Sequence, residues 1–305
     1  MFGTIEFEEL TKTYFGGKVP AVRGLTLEVS KGEVLGLVGL NGAGKTSMIR
    51  VGGGLILPTS GTVRLNGFDI VEEKVKASAS VGWVPEFPNF DPRARAWELL
   101  EYLGGYNGLS GPSFRASCYS LLGKVGLAGC EMQRLGSFSQ GMKKRFSLAT
   151  AILARPDNLL LDELLNGLDP EGIRYVRELI FSLRKDGASV LLSSHILSEV
   201  ENMADRIAIL HNGRLLKVVS REELEGSTAR RLRVRVVEKE ADASAYLSSV
   251  GEVVREGIYL TVANPTSEAW QINDELVRRG CKVAEIRIER EDLESLFFRL
   301  IHEAR

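Results

Sequence analysis

The chain has little cysteine, no surplus of either charge and no long apolar run. Its three cysteines, Cys118, Cys130 and Cys281, are odd in number and share no metal-like spacing. That argues against a disulfide framework or a thiolate metal site and leaves the reduced thiols of a cytosolic protein as the expectation. Lys and Arg total 39 against 40 Asp and Glu, so no basic excess points to nucleic acid or to an anionic membrane surface. No apolar stretch reaches the about 18 residues that suggest a spanning helix, and neither a signal peptide nor a low-complexity tract is evident. The chain is therefore not expected to cross a membrane itself. What it does have is 305 residues, 44% hydrophobic and 26% charged, which suits one large or two modest domains with a proper core.

The most informative stretch is Gly39-Leu40-Asn41-Gly42-Ala43-Gly44-Lys45-Thr46. It has the spacing G-x-x-x-x-G-K-[ST], follows the apolar run Val34–Val38 and precedes Ser47-Met48-Ile49-Arg50, a first helical turn. Glycines at 39, 42 and 44 let the backbone curl close to a ligand and adopt positive φ. Several N–H groups then converge at the positive end of a helix, a ready anion site. Lys45 can reach β- and γ-phosphates, and the Thr46 hydroxyl can hold Mg²⁺. The dinucleotide fingerprint G-x-G-x-x-G does not fit this glycine order.

Around the loop, Ile5 and Phe7, then Leu25, Leu27 and Val29, alternate as half-buried antiparallel strands. Val63 and Leu65 begin another strand that turns at Asn66-Gly67, and Val81–Val84 is a short strand ending at Pro85-Glu86. Residues from about 92 to 154 carry helical periods with Gly and Pro breaks and read as a helical insert. Core strands return at Leu159–Asp162, Ser189–Ser193 and Ile207–Leu210, separated by helical stretches. That is the alternation of an α/β fold with a mostly parallel sheet. Ser220 to Glu223 is a capping-box pattern. Near 228 the character changes: Arg230–Val237, Ile258–Val262 and Val283–Ile288 read as strands. A last helix places Leu293, Leu296, Phe297, Leu300 and Ile301 on one stripe. The expected division is a domain over 1–227 and a small α+β domain over 228–305.

In a parallel sheet, ligands sit beyond the carboxyl ends of the strands. The phosphate loop, Glu86, Asp162-Glu163 and His195 all fall at such ends. Side chains alternate along a strand, so the two acids cannot share one role: Asp162 suits a Mg²⁺ shell, and Glu163 suits orienting or deprotonating a water. His195 can bond a γ-phosphate or serve as a capping histidine. Asp169-Pro170 starts a helix whether or not Asp169 also meets a nucleotide. Ser139 is a good N-cap, but Lys143, Lys144 and Arg145 in the first turns oppose the helix dipole, which favours an anion docking at that tip.

With its order of motifs, the chain resembles the ATP-binding cassette (ABC) transporter ATPases across residues 1–226. GLNGAGKT is similar to Walker A, Val84-Pro85-Glu86 to the Q-loop, and Ser137–Arg145 to the signature motif. Leu159–Glu163 is similar to Walker B, Asn166–Pro170 to the D-loop and His195 to the switch histidine. Tyr14 matches the aromatic that stacks on adenine, and a plain turn aromatic is its other reading. The ending EDLESLFFRL resembles the drug- and antibiotic-export branch. Departures are Glu86 for the usual Gln, Phe138-Ser139-Gln140-Gly141-Met142 for Leu-Ser-Gly-Gly-Gln, Leu164-Leu165 for Pro-Thr, and Leu40 where Pro is frequent.

The resemblance implies a P-loop NTPase core with an antiparallel β subdomain and a helical subdomain at about 92–154. ATP would be held by Tyr14, Gly39, Asn41, Gly42, Ala43, Gly44, Lys45, Thr46 and Ser47, with Ser139, Gly141 and Asp169 completing the nucleotide set. Mg²⁺ would be held by Thr46, Glu86 and Asp162, with Glu163 and His195 catalytic. A second cassette, identical or different, would close on the nucleotide. Separate transmembrane permease subunits would bring the protein to the cytoplasmic face of the cell membrane, with no nucleic-acid partner. The alternatives within the resemblance are a soluble, non-transport ABC ATPase and a weakly hydrolysing nucleotide-dependent regulator.

Overall fold

The computed structural model describes residues 4–225, 230–290 and 293–304. The chain divides into two compact units, one ending at Val219 and one running from Ser220 to Glu303.

The first unit holds two sheets. One contains β1 (Ile5–Lys12), β2 (Val22–Val29), β4 (Ser60–Leu65) and the short β5 (Phe68–Asp69), in the order β2-β1-β4-β5 with every pair antiparallel. Its buried positions alternate, as expected for a sheet with one covered face. The turn into β5 is Asn66-Gly67, both at positive φ (53° and 80°). This is the conformation that favours Asn-Gly in two-residue hairpins.

The second sheet is built on β3 (Val34–Gly39), which is buried along its whole length. Its order is β10-β9-β3-β8-β7-β6, with β6 (Val81–Val84), β7 (Asn158–Leu161), β8 (Ser189–Ser194), β9 (Arg206–His211) and β10 (Arg214–Ser220). The pairs from β9 to β6 are all parallel. Continuous apolar runs in β3, β7 and β8 are what a sheet buried on both faces demands. The helices of this unit are α1 (Lys45–Gly52), α2 (Lys74–Ala79), α3 (Ala96–Tyr106), α4 (Pro112–Lys124), α5 (Gln140–Ile152), α6 (Pro170–Lys185) and α7 (Leu197–Met203). Helices α3 to α5 follow one another without an intervening strand among the described residues. Phe7, Leu35, Met48, Ile49, Val63, Leu65 and Leu160 belong to one core that joins the antiparallel sheet, α1 and the parallel sheet.

Register decides where the site lies. Val38 pairs with Ser194, Gly39 with Leu210, Leu161 with Leu192 and Val84 with Leu161. The carboxyl ends of β3, β6, β7 and β8 therefore line one edge of the sheet.

The second unit starts with α8 (Arg221–Glu225), opened by a reciprocal capping box. Ser220 N–H donates to Glu223 Oε2 at 2.8 Å, and Glu223 N–H donates to Ser220 Oγ at 3.1 Å. It continues with β11 (Arg230–Glu238), α9 (Glu240–Leu247), β12 (Glu252–Glu256), β13 (Tyr259–Ala263), α10 (Ala269–Arg278), β14 (Lys282–Arg290) and α11 (Leu293–Glu303). From β11 to β14 this is a βαββαβ unit with strand order β12-β13-β11-β14, a ferredoxin-like arrangement. Leu232, Val234, Leu247, Leu260, Val262, Ile272 and Leu276 form its core. On α11, Leu293, Leu296, Phe297 and Ile301 are buried, and Leu300 is half-buried. The sequence reading did not find β12, in which only Val253 is partly buried and packs on the core, Val254 being exposed like Glu252, Arg255 and Glu256.

Gly36, in the middle of β3, shows how tightly the phosphate-loop strand is packed. A Cβ there would sit 2.2 Å from Val200 Cγ1 and 3.2 Å from Ala204 Cβ on the α7 side. Overpacking of this kind typically costs about 1–3 kcal/mol. Gly36→Ala should therefore lower the thermal midpoint, and adding Val200→Ala should recover most of the loss. Equal midpoints for wild type and Gly36→Ala would contradict this packing.

Candidate functional site: a buried acid pair at a phosphate loop

The loop 39–46 leaves β3 and enters α1 through glycine geometry. A Cβ on Gly39 would lie 2.7 Å from Leu210 O and 2.8 Å from Ala43 Cβ. Gly44 combines φ 107° with a Cβ position 2.4 Å from Ala21 O. Neither place tolerates a side chain. By contrast a Cβ on Gly42, at φ 81°, would meet nothing within 4 Å, so at this residue the loop faces open space. Asn41 is exposed there, while Ala43 is buried and its carbonyl accepts from Gly213 N–H at 3.0 Å.

Lys45 begins α1 and is buried. Its Nζ donates to Gly39 O at 2.8 Å and lies 3.3 Å from Glu163 Oε1. Thr46 Oγ1 donates to Asp162 Oδ1 at 3.1 Å, and Ser193 Oγ donates to the same oxygen at 2.8 Å. Asp162, just past β7, is 1% exposed. Burial pushes its carboxyl above the ordinary carboxylate range, the Ser193 and Thr46 hydroxyls pull it back, and the charge of Glu163 pushes it up again. A buried carboxylate sharing a hydroxyl is a hard-oxygen donor set of the kind Mg²⁺ takes together with phosphate oxygens.

Glu163 is 5% exposed and is held on every side. Oε2 lies 2.8 Å from His195 Nδ1 and Oε1 faces Lys45. Its N–H donates to Ser193 Oγ at 3.0 Å and to Ser193 O at 3.2 Å, and its carbonyl accepts from Lys144 Nζ. Its φ is 49°, the left-handed region that a glutamate rarely enters. Such residues cost on the order of 1–3 kcal/mol and persist only where the surroundings over-determine them; here four side chains do so. Leu164 and Leu165, which follow, are fully buried. The apolar pair in place of Pro-Thr thus anchors the turn after Glu163 in the core. His195 itself has 47% of its side chain exposed, so its ring joins the buried acid to solvent.

The remaining predicted residues fall around this cluster. Tyr14 Oη lies 3.0 Å from Ser47 Oγ, which tethers the exposed ring to the first turn of α1, with Lys12 Nζ 5.3 Å from the ring centre. Asp169 caps α6, accepting from Gly172 N–H at 3.0 Å. Ser139 caps α5, accepting from Met142 N–H at 3.2 Å. Neither Ser139 nor Gly141 hydrogen-bonds to the phosphate loop; a Cβ on Gly141 would face Gly167 O at 3.4 Å. Glu86 is half-buried past β6, where its charge acts on the Lys144 ammonium, and no hydrogen bond joins it to Thr46 or Asp162. The structure therefore brings together Lys45, Thr46, Asp162, Glu163 and His195, and leaves Glu86, Ser139 and Gly141 outside the group.

The reading of the α5 cations needs correction. Lys144 is 6% exposed and donates to Glu163 O, while Arg145 Nη1 donates to Val125 O and to Gly126 O, past the end of α4. Two of the three cations thus donate to carbonyls inside the same chain, and their presence at a helix start does not by itself call for an anion. The sequence reading also missed Ser193, which bridges Asp162 and the Glu163 amide. Two consecutive serines, Ser193-Ser194, closing a fully buried strand just before His195 were the available signal.

Buried carboxylates beside a lysine, a threonine hydroxyl and a glycine loop at a helix start define a P-loop nucleotide-binding site. Comparison with known proteins narrows the class. A family model described as ABC transporter matches residues 22–166, and one described as an AAA domain matches 133–201. The bacitracin transport ATP-binding protein of Enterococcus faecalis is 34% identical over 301 residues, 97% of this chain and 96% of that protein. Nod factor export ATP-binding protein I of Paraburkholderia xenovorans is 39% identical over 210 residues, 69% of this chain and 68% of that protein. Among solved structures, an ATP-binding subunit of an ABC transporter superposes with TM-score 0.67 at 29% identity, covering 73% of this chain and 92% of its own. The chain belongs to the ABC transporter family, as an ATP-binding cassette protein.

The central hydroxyl offers a direct check of the site's construction. Ser193→Ala leaves a buried carboxylate oxygen with one donor fewer, a loss of about 1–3 kcal/mol. Urea unfolding should show a lower midpoint with an unchanged slope. An unchanged midpoint would mean that Ser193 does not support Asp162.

Proposed function

We propose that this protein is the ATP-hydrolysing subunit of an exporter, working as one of a pair of cassettes on separate transmembrane permease subunits at the cytoplasmic face of the membrane. The observation that carries the reading is the convergence of Lys45 and His195 on the two carboxylate oxygens of a strained, buried Glu163 beside the phosphate loop. The full-length match to a bacitracin transport ATP-binding protein and the match to a Nod factor export protein support the export branch. A further cassette of the same fold, at 24% identity and TM-score 0.66, was solved as a dimer.

In this reading the amides of 39–46 and Lys45 grip the triphosphate, Tyr14 flanks the base, and Thr46 with Asp162 holds Mg²⁺. Bound there, Mg²⁺ neutralises charge that develops on the phosphate oxygens. Lys45 is shared between Glu163 Oε1 and Gly39 O, so a terminal phosphate that takes over the ammonium frees the carboxylate to orient the attacking water and accept its proton. His195, on the other carboxylate oxygen, keeps Glu163 aimed. Ser139 and Gly141 of the second cassette close over the same phosphate, and Asp169 lies at that junction. Moving the pair from about 1% to about 99% closed needs about 5.5 kcal/mol of preference for the closed form, which two cross-subunit phosphate sites can supply. Hydrolysis removes the bridging phosphate and the pair opens. The permease docks beside Glu86 and the segment 87–105, where Phe87 and Tyr102 are exposed. The unit that ends at Val219 is the cassette with its helical insert, and the unit that begins at Ser220, ahead of the expected 227/228 boundary, is an accessory domain.

Glu163→Gln should keep ATP affinity within a few fold, abolish phosphate release and accumulate a dimer in size-exclusion chromatography with MgATP. Undiminished hydrolysis by that variant would remove Glu163 from the role of base.

A further inference from the structure

Helix α5 carries two functions at once. Its tip is Ser139 with Gly141, and its second turn sends Lys144 into the buried interior, where the ammonium donates to the carbonyl of Glu163. Its other side rests on the chain that follows the acid: a Cβ on Gly141 would lie 3.4 Å from Gly167 O and 3.5 Å from Leu168 Cδ2. Arg145 pins the helix to the Val125 and Gly126 carbonyls. A single rigid element thus joins the tip to the peptide that presents Glu163.

That peptide has an unusual need for restraint. Glu163 sits at φ 49°, with its N–H tied to Ser193 and its carbonyl to Lys144. Release of either end lets the residue relax toward ordinary backbone angles, and the carboxylate then swings away from the axis defined by Lys45 and His195. A small shift of a reacting group is enough to matter, since about 1 Å of misplacement can cost about 100-fold in rate.

We propose that Lys144 is a positioning residue that links the two nucleotide sites of a cassette pair. The tip of α5 reads the partner's terminal phosphate, and Lys144 carries the resulting displacement of the helix to this chain's own Glu163. The inference rests on the paired-cassette function above. Through this link, occupancy of one site sets the aim of the base in the other.

The test uses the purified full chain with MgATP and compares wild type, Lys144→Met, Lys144→Arg, Ser139→Ala and the Ser139→Ala/Lys144→Met double variant. Methionine keeps the stem and removes the donor; arginine keeps a donor. Lys144→Met should lower kcat about 10- to 100-fold and leave KM and binding of a fluorescent ATP analogue within about twofold, and Lys144→Arg should recover most of the rate. If tip and base act through one route, the double variant is no slower than the slower single variant, whereas independent effects multiply. Unchanged kcat in Lys144→Met, multiplying losses, or no recovery by arginine in a chain with wild-type circular dichroism would overturn the link. Should the methionine variant fail to fold, hydrogen exchange decides. Amides 163–168 of the wild type should gain protection on adding a non-hydrolysable ATP analogue with Mg²⁺, and Ser139→Ala should lose that gain; equal exchange in the two chains overturns the proposal. A wild type that neither binds nor hydrolyses ATP overturns the motor and the link together, whereas an active wild type with an unaffected Lys144→Met overturns the link alone.

Discussion

The site depends on two consecutive carboxylates kept buried at the end of one strand. Asp162 and Glu163 follow the aliphatic run of β7 and have almost no access to water. Buried charges survive only when paired and hydrogen-bonded. The carboxylates' partners are Thr46 and Lys45 from α1, Ser193 from β8 and His195 just after β8, while Lys144 from α5 holds the Glu163 carbonyl. The fold is, in this respect, a device for bringing those elements to the end of β7. Parallel pairing of β3, β8 and β7 sets their carboxyl ends side by side, and the tight glycines at 36, 39 and 44 let the loop strand and its helix approach closely enough.

The same arrangement is poised for exchange. Lys45 divides its donors between a backbone carbonyl and Glu163, and a polyphosphate, with several charged acceptor oxygens, competes for the same ammonium. Glu163 is held in a backbone region it would not choose, with its carboxylate bracketed by one cation and one imidazole. Binding energy at the loop can therefore be converted into a change in what surrounds the base. An exposed His195 ring at the rim gives that base a path to solvent.

Much of this was readable before any coordinates. The spacing from Gly39 to Thr46 identifies a phosphate loop because few other tasks need three glycines, a lysine and a hydroxyl in that order. Asp162-Glu163 stands out because charged residues end an otherwise aliphatic strand. The α/β fold follows from the alternation of buried runs with helical stretches. What escaped the sequence reading was long-range or sterically subtle. Lys144 looks like a surface cation at a helix start until α5 is seen packed beside the turn at 163, nineteen residues away in sequence. Ser193 looks like one more strand residue until its hydroxyl is seen between the Asp162 carboxylate and the Glu163 amide. Leu164 and Leu165, which read as departures from a pattern, prove to be core residues. Strand β12 pairs through its backbone with β13 and carries few apolar side chains to announce it.

The decisive measurement is a crystal structure of the wild-type protein with Mg²⁺ and a non-hydrolysable ATP analogue. The account requires the triphosphate to lie along the amides of 39–46, with Lys45 Nζ turned from Glu163 to a phosphate oxygen and the terminal phosphate bounded by Ser139 and Gly141 of a second molecule. Nucleotide bound elsewhere on the chain, or bound at the loop while Lys45 stays on Glu163 and no second α5 tip approaches, would contradict it.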